Sequence, residues 1–228
     1  ATRLNVPMVD EHYYNTPGWF INNQDYYDRY DRTKPKVYLG EYAAHLPGRP
    51  NNIETALAEA LYLTSVERNG DIVSMTSYAP LLAKEGHTQW NPDLIYFNNR
   101  EVKPTVGYYT QLLYGQNSGD SYLPADRKID NPRQDVQKRI GTSVVRDSKT
   151  GDWIVKLVNL LPVPVKAKVE GLTPVENGKV VLQVLSGKPT DKNARPVKKE
   201  ITMAELSQYE MPAYSLNVIR VKVAGTKM

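Results

Sequence analysis

Val37-Tyr38-Leu39-Gly40-Glu41-Tyr42-Ala43 is the stretch on which the reading of this chain turns. A short β-prone run ends in a glycine and a single acid, the pattern of a buried parallel strand that delivers a polar residue at its end. Two similar runs flank it. Val6 to Val9 ends in Asp10-Glu11-His12, and Ile72 to Tyr78 forms a third. Helical patterns lie between and after them. Asn22 to Arg29 can make a short helix. Asn52 to Arg68 is the strongest, with Ile53, Ala56, Leu57, Ala60, Leu61 and Thr64 on one face and Gly70 as a stop. Pro104 to about Tyr114 predicts a last helix, opened by the proline and ended by Gly115. Strand and helix alternate, so residues 1–118 read as βα units.

The rest of the chain reads differently. Residues 118–135 are polar and loop-like, with Pro124 and Pro132. Strand patterns follow at 140–145, 153–159, 163–169, 180–185, 197–202 and 215–223. Turn signals separate them at Ser148 to Asp152, Glu176-Asn177-Gly178 and Ser186 to Pro189. Short strands at this spacing predict an antiparallel β-sandwich over 119–228. The fold class is therefore mixed α/β followed by all-β, in two domains.

Composition narrows the function. The 228 residues carry a net charge of +4 with lysines and arginines dispersed, which gives no footprint for nucleic acid. No apolar run approaches the roughly 20 residues of a membrane span. The absence of cysteine removes disulfides and thiolate metal sites. His12, His45 and His87 lack metal-ligand spacing, and no phosphate-binding glycine loop occurs, so no metal or cofactor is expected. Ala1 to Asn5 lacks the apolar core of a signal peptide, and with no initiator methionine the chain reads as processed or truncated. The compartment stays open. The 16 Tyr and 3 Trp against 2 Phe suit sugar rings, although tyrosine can equally replace phenylalanine in a core.

Polar residues gather where the first-half strands end. The first strand delivers Asp10, Glu11, His12, Tyr13 and Tyr14; the second Glu41, with Tyr42 and His45 beyond; the third Tyr78. In a parallel barrel those ends form the active-site rim. Gly40 is expected to let the backbone tuck in and leave the Glu41 carboxylate unobstructed. Taken singly, each residue has a plainer reading as a solvated acid, a turn cap or a packing tyrosine. Their shared position is what points to a site.

Asp10-Glu11-His12-Tyr13-Tyr14, Pro17-x-Trp19-Phe20, Tyr27-Asp28-x-Tyr30-Asp31-Arg32 and Pro35 to Ala43 form an ordered series. Ala56-x-Ala58-Glu59-Ala60, Ser77 to Ala83, Trp90 to Ile95 and Gly107-Tyr108-Tyr109-x-Gln111 continue it. The series resembles the α-L-arabinofuranosidases of glycoside hydrolase family fifty-one. The resemblance implies a retaining mechanism on a (β/α)8 barrel, of which residues 1–118 would be about strands six to eight. It implies Glu41 as nucleophile, with His12 and Tyr14 contacting the sugar or the nucleophile; Glu11, Tyr78 and Trp90 are weaker candidates. The partner it implies is an arabinose-containing oligo- or polysaccharide such as arabinan or arabinoxylan, and it allows a homo-oligomer.

One departure stands out. The family's acid/base glutamate follows an asparagine upstream of strand six, and this chain contains no Asn-Glu step. The chain is thus expected to be a catalytically silent fragment. Two rival readings remain at this point: another retaining glycosidase of the same clan, such as a β-xylosidase or endoglucanase, and a non-catalytic carbohydrate-binding or interaction module.

Overall fold

The computed structural model of the chain describes residues 2–172 and 179–223. β1 (Met8–Asn15), β2 (Lys36–Ala44) and β3 (Val73–Thr76) form a parallel sheet in that order. α1 (Pro17–Asn22) lies between the first two strands, and α2 (Ile53–Arg68) between the second and third. Parallel neighbours require such crossovers.

β1 and β2 extend further than the sequence suggests. The run at Val6 to Val9 only begins β1, which continues through Asp10 to Asn15, and β2 passes through Glu41 to Ala44. The polar residues expected past the strand ends therefore lie on paired strands. Asp10, His12 and Tyr14 alternate with more buried neighbours, so one sheet face packs inward while the other stays open.

Local chemistry sets the helix boundaries. Thr16 accepts the Trp19 N–H and Pro17 opens α1, ahead of the helix expected at Asn22 to Arg29. That stretch holds only a 3-10 turn at Tyr27–Arg29. α2 begins with a reciprocal capping box between Asn52 and Thr55 and ends with Arg68. The sequence predicts one apolar stripe on it, but Ala58, Tyr62, Leu63 and Val66 are buried as well. A helix covered on all sides belongs in the middle of a structure: α2 packs against β2 on one flank and the second-half sheet on another.

A small sheet of β4 (Leu82–Lys84), β5 (Ile95–Phe97) and β6 (Val102–Pro104) precedes α3 (Val106–Gln116). Thr105 caps α3, whereas the sequence places its start at Pro104 and its end at Gly115. Pro104 belongs to β6, and Gly115 lies inside the helix. The three-residue strands are too short to show a period of two.

The second half forms one large antiparallel sheet. It contains β7 (Ser121–Tyr122), β8 (Ile140–Asp147), β9 (Asp152–Asn159), β11 (Val180–Ser186), β12 (Val197–Ile201) and β14 (Ser215–Lys222), ordered β12-β11-β14-β9-β8-β7. The short α4 (Gln134–Gln137) precedes β8. The strand expected at 163–169 shrinks to β10 (Val165–Lys166), paired with β13 (Glu210–Met211) after α5 (Met203–Ser207). The turn expected at Glu176-Asn177-Gly178 lies outside the described residues. Alternation along the strands serves both faces. Ile154, Val158, Leu216 and Val218 join the core around α2. Val155, Leu157, Ile219 and Val221 join Leu206 and Met211 on the opposite face.

Two details bind the sheet to α2. Gly141 of β8 lets the helix approach, because a Cβ there would meet Leu61 at 2.6 Å. Lys156 of β9, fully buried, reaches Glu67 Oε1 and the Asn117 carbonyl, each at 2.6 Å. Ser143 donates to the other Glu67 oxygen at 2.5 Å.

Candidate active site

The open face of the parallel sheet carries Asp10, His12 and Tyr14 from β1 beside Glu41 from β2. Register explains how they meet. Glu11 pairs with Leu39 but His12 pairs with Glu41, so Gly40 is the extra residue of a β-bulge. A bulge re-aims a side chain, and here it sets Glu41 next to His12. The expected reason for Gly40 was an unobstructed Glu41. The structure gives another: a Cβ at Gly40 would meet Asp10 Oδ1 at 2.1 Å, so the glycine vacates the space that the Asp10 carboxylate occupies.

The contacts form a line. Asp10 Oδ2 lies 3.0 Å from His12 Nε2, and His12 Nδ1 lies 3.5 Å from Glu41 Oε2. The Tyr14 hydroxyl donates to the same Oε2 at 2.5 Å. Both contacts fall on one oxygen, which leaves Glu41 Oε1 without a hydrogen bond among the described residues. Burial and the neighbouring Glu41 carboxylate push the Tyr14 hydroxyl above its ordinary range, so it stays a donor. Ser77 ties the bulge down from beyond β3. Its hydroxyl donates to the Gly40 carbonyl at 2.6 Å and lies 2.8 Å from the Tyr38 hydroxyl. Glu41, His12 and Tyr14 all remain open to solvent, as a substrate-facing cluster requires.

The weaker sequence candidates separate from this cluster. Glu11 accepts hydrogen bonds from Tyr13 at 2.6 Å and Tyr27 at 2.9 Å instead. Tyr78 is buried, packed edge-on against Tyr42 at 5.7 Å. Trp90 stands 64% exposed in the loop before β5, its carbonyl held by Thr88. Asp10 is the member that sequence reasoning left without a role, and the packing of its carboxylate over Gly40 at a bulge leaves no mark in linear spacing. His45 stacks on Tyr14, with ring centroids 5.5 Å apart. A polar cleft of about 590 Å³ lies elsewhere, lined by Asn22, Asp28, Arg68, Tyr122 and Arg127 among others, and shares no residue with the cluster. No group of three or more potential metal ligands occurs among the described residues.

The family model of the α-L-arabinofuranosidase C-terminal domain matches residues 23–220, and the chain belongs to that family. The match includes Glu41 and stops short of β1. The extracellular exo-α-L-arabinofuranosidase of Streptomyces chartreusis is 51% identical over 121 residues, 53% of this chain and 14% of that protein. The α-L-arabinofuranosidase A of Aspergillus niger is 36% identical over 115 residues, 50% of this chain and 18% of that protein. An arabinose-bound family 51 α-L-arabinofuranosidase superposes with a TM-score of 0.82 at 29% identity, covering 96% of this chain and 37% of the other. The Thermotoga maritima α-L-arabinofuranosidase, also an arabinose complex, shares the fold with a TM-score of 0.69 at 14% identity. The chain therefore spans much less than two thirds of the relatives it matches.

Proposed function

We propose that this chain supplies the nucleophile half of a retaining α-L-arabinofuranosidase, with Glu41 attacking the anomeric carbon of a terminal arabinofuranosyl unit. The observation that carries the reading is the Glu41 carboxylate, held on one oxygen by the Tyr14 hydroxyl with the His12 ring 3.5 Å from the same oxygen, and with no hydrogen bond to the other among the described residues. In a retaining reaction the free oxygen forms the bond to the sugar as the leaving group departs, and water then cleaves the ester. The Tyr14 hydroxyl, which donates to the carboxylate, and the His12 ring beside it hold the carboxylate's aim. Asp10 orients His12. Arabinan- or arabinoxylan-type glycans are the substrate class.

The fold supports a finer architectural reading. Parallel strands with helices on one face and a polar open face match the last part of a (β/α)8 barrel, about strands six to eight. We assign 1–118 to that partial barrel and 119–228 to the β-sandwich. A retaining enzyme needs a second carboxyl group about 5–5.5 Å from the first. The resemblance puts the acid/base on a glutamate that follows an asparagine, and these 228 residues contain no Asn-Glu step, so we assign the acid/base to a residue outside them. General acid–base help contributes typically about 10²–10⁴-fold, and the 228 residues alone are expected to be silent.

The test uses the protein as it is encoded, assayed on p-nitrophenyl α-L-arabinofuranoside. Glu41→Ala should abolish turnover, and azide should restore it while producing the arabinosyl azide of inverted configuration. Full activity in Glu41→Ala would overturn the assignment. Turnover by the isolated 228 residues, free of longer enzyme, would overturn the placement of the acid/base.

A further inference from the structure

Glu59 sits on α2 in the run Ala56-Leu57-Ala58-Glu59-Ala60-Leu61, and it is 1% exposed. Its Oε1 accepts the backbone N–H of Ala44 at 2.8 Å, and its Oε2 has no partner among the described residues. A buried acid with one hydrogen bond and no cation costs more than an apolar side chain of the same size. Packing alone does not call for it.

What it holds is the end of β2. Ala44 is the last residue of that strand, three positions past Glu41. The next residue, His45, donates its N–H to the Asn15 carbonyl at 2.7 Å, closing the ladder to β1. The His45 ring then stacks on Tyr14, with planes 17° apart, and Tyr14 donates to Glu41. A contiguous path thus runs from Glu59 through Ala44, His45 and Tyr14 to the Glu41 carboxylate.

We propose that Glu59 is a positioning residue for this site: it pins the end of β2, seats His45 against Tyr14, and so keeps the Tyr14 hydroxyl on Glu41. The inference rests on the reading of Glu41 as nucleophile. Burial pushes the Glu59 carboxyl up to about 8, opposed only by the Ala44 N–H. The titratable groups facing it are Tyr42 of β2 and Tyr78 beyond β3, whose hydroxyls burial keeps protonated. Burial lowers the His45 ring from its ordinary value. None of these supplies a counter-charge when Glu59 ionises, so alkaline pH places an unpaired anion beneath β2. A raised folded-state value means that Glu59 favours the fold fully below the ordinary carboxylate range, and loses that contribution as pH rises through about 8.

Three variants of the encoded protein decide the matter. Glu59→Gln keeps an acceptor for Ala44 and cannot ionise. Its kcat near pH 6 should stay within about twofold of wild type; wild type is expected to lose kcat above pH 8, and Glu59→Gln is expected not to. Glu59→Leu should lower kcat about tenfold with KM little changed, because the lost hydrogen bond is felt at Tyr14. Should Glu59→Leu fail to fold, the pH profile of Glu59→Gln decides alone. An unchanged alkaline limb in Glu59→Gln would overturn the proposal, as would wild-type kcat in folded Glu59→Leu. Glu41→Ala is the control: if it is fully active the nucleophile assignment fails, and if it is dead while both Glu59 variants match wild type, only this proposal fails.

Discussion

Glu41 Oε2 accepts the Tyr14 hydroxyl and lies 3.5 Å from the His12 ring, and this concentration on one oxygen marks the candidate site at the scale of single residues. Removing Tyr14's donor should matter more than its exposure suggests, since a hydrogen bond to a charged group is worth about 1.5–3 kcal/mol. We expect Tyr14→Phe to lower kcat/KM roughly 10- to 100-fold, with an unchanged melting temperature, measured by steady-state kinetics and calorimetry. Gly40 makes a second point. Gly40→Ala must displace the Asp10 carboxylate, and overpacking of this kind costs about 1–3 kcal/mol. A lower melting temperature together with lost activity is expected; a neutral outcome would show that Asp10 moves freely. Glu41, His12 and Tyr14 were legible in the sequence because each lies in a short motif on a strand. Asp10 and Glu59 were not, because their partners are chosen by a bulge and by helix-to-strand packing, neither of which follows a fixed spacing.

The elements show where local pattern is sufficient and where it fails. α2 was readable from its apolar spacing and from Asn52, which became its cap. Its burial on all sides was not readable, because that depends on a sheet formed by residues far along the chain. β4, β5 and β6 escaped notice since three-residue strands have no period to detect. The α2–β9 contact belongs to this scale. Burial pushes Lys156 down and Glu67 up from their ordinary values, and their mutual attraction opposes both shifts. The Lys156 ammonium also lies 5.3 Å from the Tyr114 ring centroid. Removing only the acid leaves a buried cation unpaired, a loss of about 3–5 kcal/mol. We expect Glu67→Ala to lower the denaturant midpoint strongly, and Lys156→Met combined with Glu67→Leu to recover part of the loss. Equal loss in both would mean that the pair, and not the stranded charge, carries the effect.

For the whole molecule, one hydrophobic cluster runs from the parallel sheet through α2 to the inner face of the antiparallel sheet. β2, the strand proposed to carry the nucleophile, is therefore braced from behind by a core that both halves build, while the face bearing Glu41 stays open. The second half thus adds core side chains behind β2 and no residue to the cluster of Asp10, His12, Tyr14 and Glu41. The change from alternating strands and helices to successive strands is visible in the sequence as a change in periodicity near residue 118. The core shared by the two halves is not, since it is made by side chains such as Leu61, Ile154 and Val218 that look alike in sequence and meet only in space. The most direct test of the account is covalent. The encoded protein is incubated with a slowly deglycosylating, 2-fluorinated arabinofuranoside, then digested with trypsin and sequenced by mass spectrometry. The account predicts a glycosyl adduct on the peptide spanning residues 37–68, localised by fragment ions to Glu41. An adduct on any other carboxylate, including Glu54, Glu59 or Glu67 of the same peptide, would contradict it.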